Sequence, residues 1–236
     1  MIAPHPAGGL GACGAAGAAG FTLLEMAVVV AIVAVLLGTL LVPLATQVEV
    51  VNMKRTHEHL ETIQEALIGF AVTSGNRLPC PDTDGDGVAE APGACDDLEG
   101  YLPWVTLGLG RQDAWGRRFR YRANNAYTAP GGVPSPPDTT GAQTLAVQDR
   151  DSAALTMGDP DAPAAIVFSC GKNGRPDLEN DDDGTPNTGA DCSNATAPAN
   201  GTYVQGSFTE DTFDDLLVWL SKHTLLGRLV KAGTWP

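Results

Sequence analysis

The chain has 236 residues, enough for one large or two small domains with a real core, and its apolar fraction is that of an ordinary globular protein. Against 14 basic residues stand 28 acidic ones, a formal charge of −14. That balance argues against a role in holding nucleic-acid phosphates or an anionic lipid surface, and for an exterior that attracts cations.

Residues 1–20, "MIAPHPAGGLGACGAAGAAG", carry no Lys, Arg, Asp or Glu and no helical or strand periodicity, which makes them a segment outside the folded protein. The next stretch, "FTLLEMAVVVAIVAVLLGTLLVPLA" from Phe21 to Ala45, contains a single ionisable side chain, Glu25. At about 1.5 Å per residue it is long enough to cross a hydrocarbon layer of about 30 Å. It is too long for the apolar core of a secretory signal, and no small-residue cleavage site follows it, so retention as an anchor is expected. Gly38 and Pro43 point to a kink that a helix among neighbours tolerates. A carboxylate at membrane depth is expensive and marks a function with a partner.

Beyond the span, "TQVEVVNMKRTHEHLETIQEALIGFAVTSGN" places Leu60, Ile63, Leu67, Phe70 and Ala71 on a helical stripe that ends at Ser74, Gly75 and Asn76. The pattern predicts one helix from Phe21 to about Thr73, about 80 Å long. His57 and His59 are two apart, face different sides and read as solvated surface residues. Short apolar runs then alternate with Gly, Pro and Asp. "RFRYRA", around Phe119 to Ala123, and "AAIVFS", from Ala164 to Ser169, read as strands of an antiparallel sheet, with "DAWGRR" as the turn into the first. Residues 123–142 are Pro- and Gly-rich and read as an exposed loop. The tail from Asp214 places Leu216, Leu217, Leu220, Leu225, Leu226 and Leu229 at spacings that suit helical turns.

Cys13 lies in the leading segment; the other four cysteines fall as Cys80 with Cys95 and Cys170 with Cys192, each pair enclosing a Gly- and Asp-rich loop. Three connectivities exist, and local pairing is expected because short loops close at low entropic cost. The lack of close CxxC spacing argues against a zinc site. The first loop, "CPDTDGDGVAEAPGAC", sets Asp82, Asp84 and Asp86 at alternate positions before Gly87, like the start of an EF-hand loop. Position twelve is Gly93 instead of the bidentate Glu, and Glu90 falls at position nine; a solvated acidic turn is the competing reading.

The Gly20–Phe21 junction, with Glu25 the fifth residue after it, resembles the prepilin signature of type IV pilins and type II secretion pseudopilins. The resemblance implies cleavage after Gly20 by prepilin peptidase, methylation of the new Phe21 amine, and pairing of Glu25 with the N-terminus of a neighbouring subunit during assembly. Lys54 and Arg55 just beyond the span would by the positive-inside rule favour the opposite orientation, so the expected orientation follows the signature. "DAWGRRFRY" resembles the DPWG-aromatic hairpin of major pseudopilins. "FSCGKNGRPDLENDDDG" with "FTEDTFDDLLVWLS" resembles the pseudopilin arrangement that holds calcium. Ser169, Gly171, Asn173 and Gly174 fall on its turn, and Asp214, Asp215 and Trp219 on its second segment. The intervening insertion carries Asp177, Asp181, Asp182 and Asp183. The calcium set this implies is Ser169, Asp177, Asp181, Asp183, Asp211, Asp214 and Asp215, with Asp82, Asp84 and Asp86 as the weaker candidate.

The expectation is thus an α+β protein: a long N-terminal helix, half membrane-embedded and half amphipathic, packed on a small antiparallel β-sheet with long disulfide-closed loops. Residues 1–20 would be the leader, 21–45 the transmembrane and filament-core helix, and 46–236 the exported domain. The resemblance implies a structural filament subunit that starts as a single-pass inner-membrane precursor, and the insertion and size favour a minor subunit over the bulk one, since large additions crowd helical packing. Its partners would be other pilin-like subunits, prepilin peptidase, the inner-membrane assembly platform and the membrane, with no nucleic acid. A tip or adhesin-like binding pilin and a membrane-anchored exported enzyme are the alternatives. No GxSxG, Walker or GxGxxG motif is present, and an enzyme is not expected.

Overall fold

The computed structural model describes residues 20–91, 95, 99–133, 145–158, 161–177, 180, 192, 201–209 and 213–235, with the side chains of 39–45 outside the description. Two compact units divide it, Met1–Gln47 and Val48–Pro236. Helix α1 is assigned over Leu23–Thr73. In the first unit, Thr22 caps its start: the Thr22 hydroxyl accepts from the Glu25 amide at 3.2 Å. Around this segment Leu23, Leu24, Met26, Val28, Val29, Val30, Ile32, Val33, Val35, Leu36 and Leu37 are all exposed. Among the described residues no helix is long and apolar enough to cross a membrane. The span expected over 21–45 runs on into 39–45, whose side chains lie outside the described residues.

The second unit is α+β. A four-stranded antiparallel sheet runs in the order β1 (Glu99–Tyr101), β2 (Arg120–Ala123), β4 (Ala165–Ser169), β6 (Leu216–Leu220). A separate parallel pair joins β3 (Ala146–Asp149) to β5 (Thr202–Gln205). Every residue of β4 is buried, which follows from its place inside the sheet with both faces covered. Alternation does the sorting: Ala165 and Val167 turn to the cluster that holds Leu60, Ile63, Leu67 and Ala71 of α1. Ile166 and Phe168 turn to the opposite cluster with Val147, Tyr203 and the Cys170 and Cys192 side chains. The disulfides Cys80–Cys95 and Cys170–Cys192 are both formed, as the spacing predicts.

The α1 stripe ends where the sequence says it should. Gly75 and Asn76 take positive φ, and the Asn76 amide donates to the Ala71 carbonyl at 2.9 Å, closing the last turn. Ile68 is buried while Phe70 is only half-buried, so the stripe is shifted slightly from the expected one.

Two expectations are corrected. Leu216–Leu220 is strand β6 and not a helical turn, because it pairs along its whole length with β4; the helix, α2, begins only at Lys222 and runs to Ala232. Residues 123–133 are not an exposed loop. Ala123 closes β2, Asn124 caps a 3₁₀ turn over Asn125–Tyr127 by accepting from the Ala126 amide, and Tyr127 and Val133 are core residues. The Leu78 amide donates to the Tyr127 carbonyl at 2.7 Å and ties this stretch to the end of α1. The rest of the stretch, 134–142, lies outside the described residues.

Candidate metal centre

The segment after β4 and the segment before β6 are brought side by side by the β4–β6 pairing, since Ser169 is opposite Leu216. This puts Asp177, Asp214 and Asp215 together: each offers a carboxylate oxygen, and these oxygens lie within 4.8 Å of one another. Hydrogen bonds to these carboxylates close the loops. Asp177 Oδ2 accepts from the amides of Asp214 at 2.8 Å and Asp215 at 3.3 Å. Asp215 Oδ2 accepts from the Asp177 amide and from Asn180 Nδ2, each at 2.9 Å. Asp214 Oδ2 accepts from the Asn173 amide at 2.8 Å.

What remains is unusual. Asp214 Oδ1 and Asp215 Oδ1 are buried and have no hydrogen-bond partner, although a buried polar atom without a partner ordinarily costs about 1–3 kcal/mol. Burial pushes the Asp214 carboxyl up to about 6, with repulsion from Asp177 adding to it against the amides of Asn173 and Lys172. The Asp215 carboxyl is pushed well above the usual carboxylate range, again by burial first and then by Asp177. A divalent cation held by oxygen would satisfy the two orphaned atoms and cancel the repulsion together, and the all-carboxylate donor set suits a hard ion such as calcium.

The turn after β4 is shaped to reach Asp214. Gly171 takes φ +54°, and a Cβ there would stand 2.3 Å from the Asp214 carbonyl oxygen, so no other residue fits without moving the loop. Ser169 does something different from what its place in the motif suggests: its hydroxyl donates to Asp113 and accepts from the Gly171 amide at 3.1 Å. Gly174 continues the turn, donating to the Cys170 carbonyl at 3.0 Å and accepting from Cys192 at 2.9 Å. Trp219 lies on β6, and its carbonyl accepts from Gln64 of α1 at 2.8 Å. Asp181, Asp182, Asp183 and Asp211 lie outside the described residues.

The first acidic loop also gathers its three carboxylates, Asp82, Asp84 and Asp86. Here the buried member is fully used: Asp82 accepts from the Gly85 amide at 2.6 Å through one oxygen and from Gly87 at 2.8 Å through the other. Asp84 and Asp86 cap the amides of Asp86 and Val88, and Glu90 accepts from the Thr83 hydroxyl at 2.7 Å. No oxygen of Asp82 is left seeking a partner, and the loop is complete as an acidic turn. Gly93 lies outside the described residues. His57 and His59 are both exposed, the first beside Glu61 at 3.5 Å and the second edge-on to Phe119.

Three participants escape a sequence reading. Asn180 is fully buried and acts like a strand residue, accepting from the Val204 amide at 2.7 Å and donating to its carbonyl at 3.0 Å while it holds Asp215. Asp113, the first residue of the "DAWG" turn, accepts from the amides of Trp115 at 2.9 Å and Arg117 at 2.8 Å as well as from Ser169. Glu49 of α1 accepts from the Trp115 indole at 3.2 Å and pairs with Lys172 at 3.5 Å. Only the Asp113 role has a local signal, an Asp followed by Gly three residues on. Compared with known protein families, with curated proteins and with solved structures, the chain matches none.

Proposed function

We propose that this chain is a structural subunit, of the minor kind and not an enzyme, of a type IV pilus-like or type II secretion pseudopilus filament. The observation that carries the reading is the helical segment from Leu23, which exposes apolar side chains all round its circumference and a single carboxylate, Glu25, at its start. Soluble monomers rarely leave such a continuous apolar surface uncovered. In the precursor the segment sits in the inner membrane, where "TLLVPLA" at 39–45 extends the apolar run to a spanning length. In the filament it packs among copies of the same helix in other subunits, and Glu25 meets the methylated Phe21 amine of a neighbour after prepilin peptidase has cut behind Gly20. The Val48–Pro236 unit is then the exported part, closed by its two disulfides and by calcium at Asp177, Asp214 and Asp215.

Mass spectrometry of the protein made in a host with prepilin peptidase tests this. The expected N-terminus is methylated Phe21; assembled protein that keeps residues 1–20 overturns the reading.

A further inference from the structure

Helix α1 has little apolar anchorage at the start of the second unit. Val48, Val50 and Val51 are exposed, and core packing begins only at Leu60. Between these points the helix is gripped by polar contacts: Glu49 by Trp115 and Lys172, and the buried Thr56 by the Ala114 amide, which donates to its hydroxyl at 3.2 Å.

Each grip leads to the same place. Lys172 sits in the turn between Gly171 and Asn173, and the amide of Asn173, next to it in the chain, donates to Asp214 Oδ2 at 2.8 Å. Ala114 and Trp115 belong to the turn organised by Asp113, whose carboxylate receives the Ser169 hydroxyl, and that hydroxyl in turn receives the Gly171 amide. The Glu49 side chain is only 15% exposed, so its two partners are not idle surface encounters. From this geometry we infer that the acidic centre and helix segment 48–56 are coupled: a divalent cation that orders Asp214 and the 171–174 turn also fixes Lys172 and Trp115 on Glu49, and so clamps the helix. This rests on the cation reading of the centre, and it makes Glu49 a positioning residue of the helix and not a ligand. Because Lys172 is half-exposed, its ion pair is modest, and the clamp changes local opening by at most about fivefold.

Hydrogen exchange on the full chain in mild detergent, with calcium or with chelator, tests the coupling. Calcium is expected to slow exchange of the 171–177 amides and, by about two- to fivefold, of the 52–56 amides. In Glu49→Gln the 171–177 amides still respond while the 52–56 amides lose their response, and Lys172→Met loses the helix response too. A helix response that survives in both variants overturns the coupling. A wild-type protein in which the turn responds and the helix does not overturns the coupling and leaves the cation reading standing; if neither segment responds, both fall.

Discussion

The sharpest test of the acidic centre is Asp215→Asn, because it gives opposite results with and without calcium. Asp215 Oδ2 accepts two hydrogen bonds, from the Asp177 amide and Asn180 Nδ2, while Oδ1 is buried with no partner, in a residue that clusters with Asp177 and Asp214. An Asn in the same rotamer keeps its Oδ1 as the acceptor of those two bonds and puts its NH₂ where the unpartnered oxygen stood. The substitution replaces a buried, unpartnered oxygen with an uncharged donor in an acidic cluster, so the calcium-free variant should be more stable than calcium-free wild type by about 1–3 kcal/mol. Calcium reverses the ranking. A ligand that binds only the folded form adds RT ln(1 + [L]/Kd), about 2.7 kcal/mol at a hundredfold excess over Kd. For a unit of this size that raises Tm by about 5–11 °C. Wild type gains this shift, and Asp215→Asn, having lost a ligand and a charge, gains little of it. The assay is thermal unfolding of the full chain in mild detergent with calcium, magnesium or chelator, alongside Asp84→Asn. Magnesium should substitute poorly, since it requires tighter octahedral geometry and sheds water reluctantly. A wild-type Tm indifferent to chelation refutes the reasoning, and so does a calcium shift abolished by Asp84→Asn but kept by Asp215→Asn.

The metal-stripped protein should gain stability as pH falls from about 7.5 to 5.5. Asp214 is raised to about 6 and Asp215 further, and burial also raises Asp82 and Asp113. The folded state therefore binds the extra protons, and the stability they confer is lost as pH rises through the folded values. Melts of stripped protein that show Tm climbing steadily with pH over this range contradict it, while calcium-loaded protein should show the reverse slope, because the ion needs the carboxylates deprotonated. Gly171→Ala should lower calcium affinity at least tenfold by calorimetry, given φ +54° and the 2.3 Å approach to Asp214, whereas Gly158→Ala, with open space around it, should not. Glu25→Ala should insert in the membrane at least as well as wild type yet fail to enter filaments; co-purification with assembled filaments at the wild-type level would refute the pairing role of Glu25.

Which of these features could be read from sequence depends on how local their causes are. The helix stop at Gly75–Asn76 and the two disulfides are settled by residues close in the chain, and spacing alone exposes them. Leu216–Leu220 is different: "LLVWL" fits a helical face as well as a buried strand, and a short apolar run carries no period that separates the two. What decides it is β4, some fifty residues earlier, which offers an unpaired edge to Leu216 through Leu220. Residues 124–133 mislead in the same way, since Pro and Gly conceal an Asn124 cap and a Tyr127 that the core absorbs.

The acidic centre sits between these cases. Its ligand types are visible in "DD" and in the acidic insertion, but clustering of carboxylates alone does not separate a cation site from a solvated turn, and the first loop shows why. Asp82 and Asp215 are both buried beside acidic neighbours, yet Asp82 spends both oxygens on the amides of Gly85 and Gly87, three and five residues on. Asp215 spends one on Asp177 and Asn180, more than thirty residues away, and keeps the other buried and unanswered. The turn that satisfies itself is written in consecutive residues. An unsatisfied oxygen, which is what gives a cation something to do, arises only when separate strands and an insertion close around it, and it is the same closure that runs on through Lys172 to Glu49 on the helix.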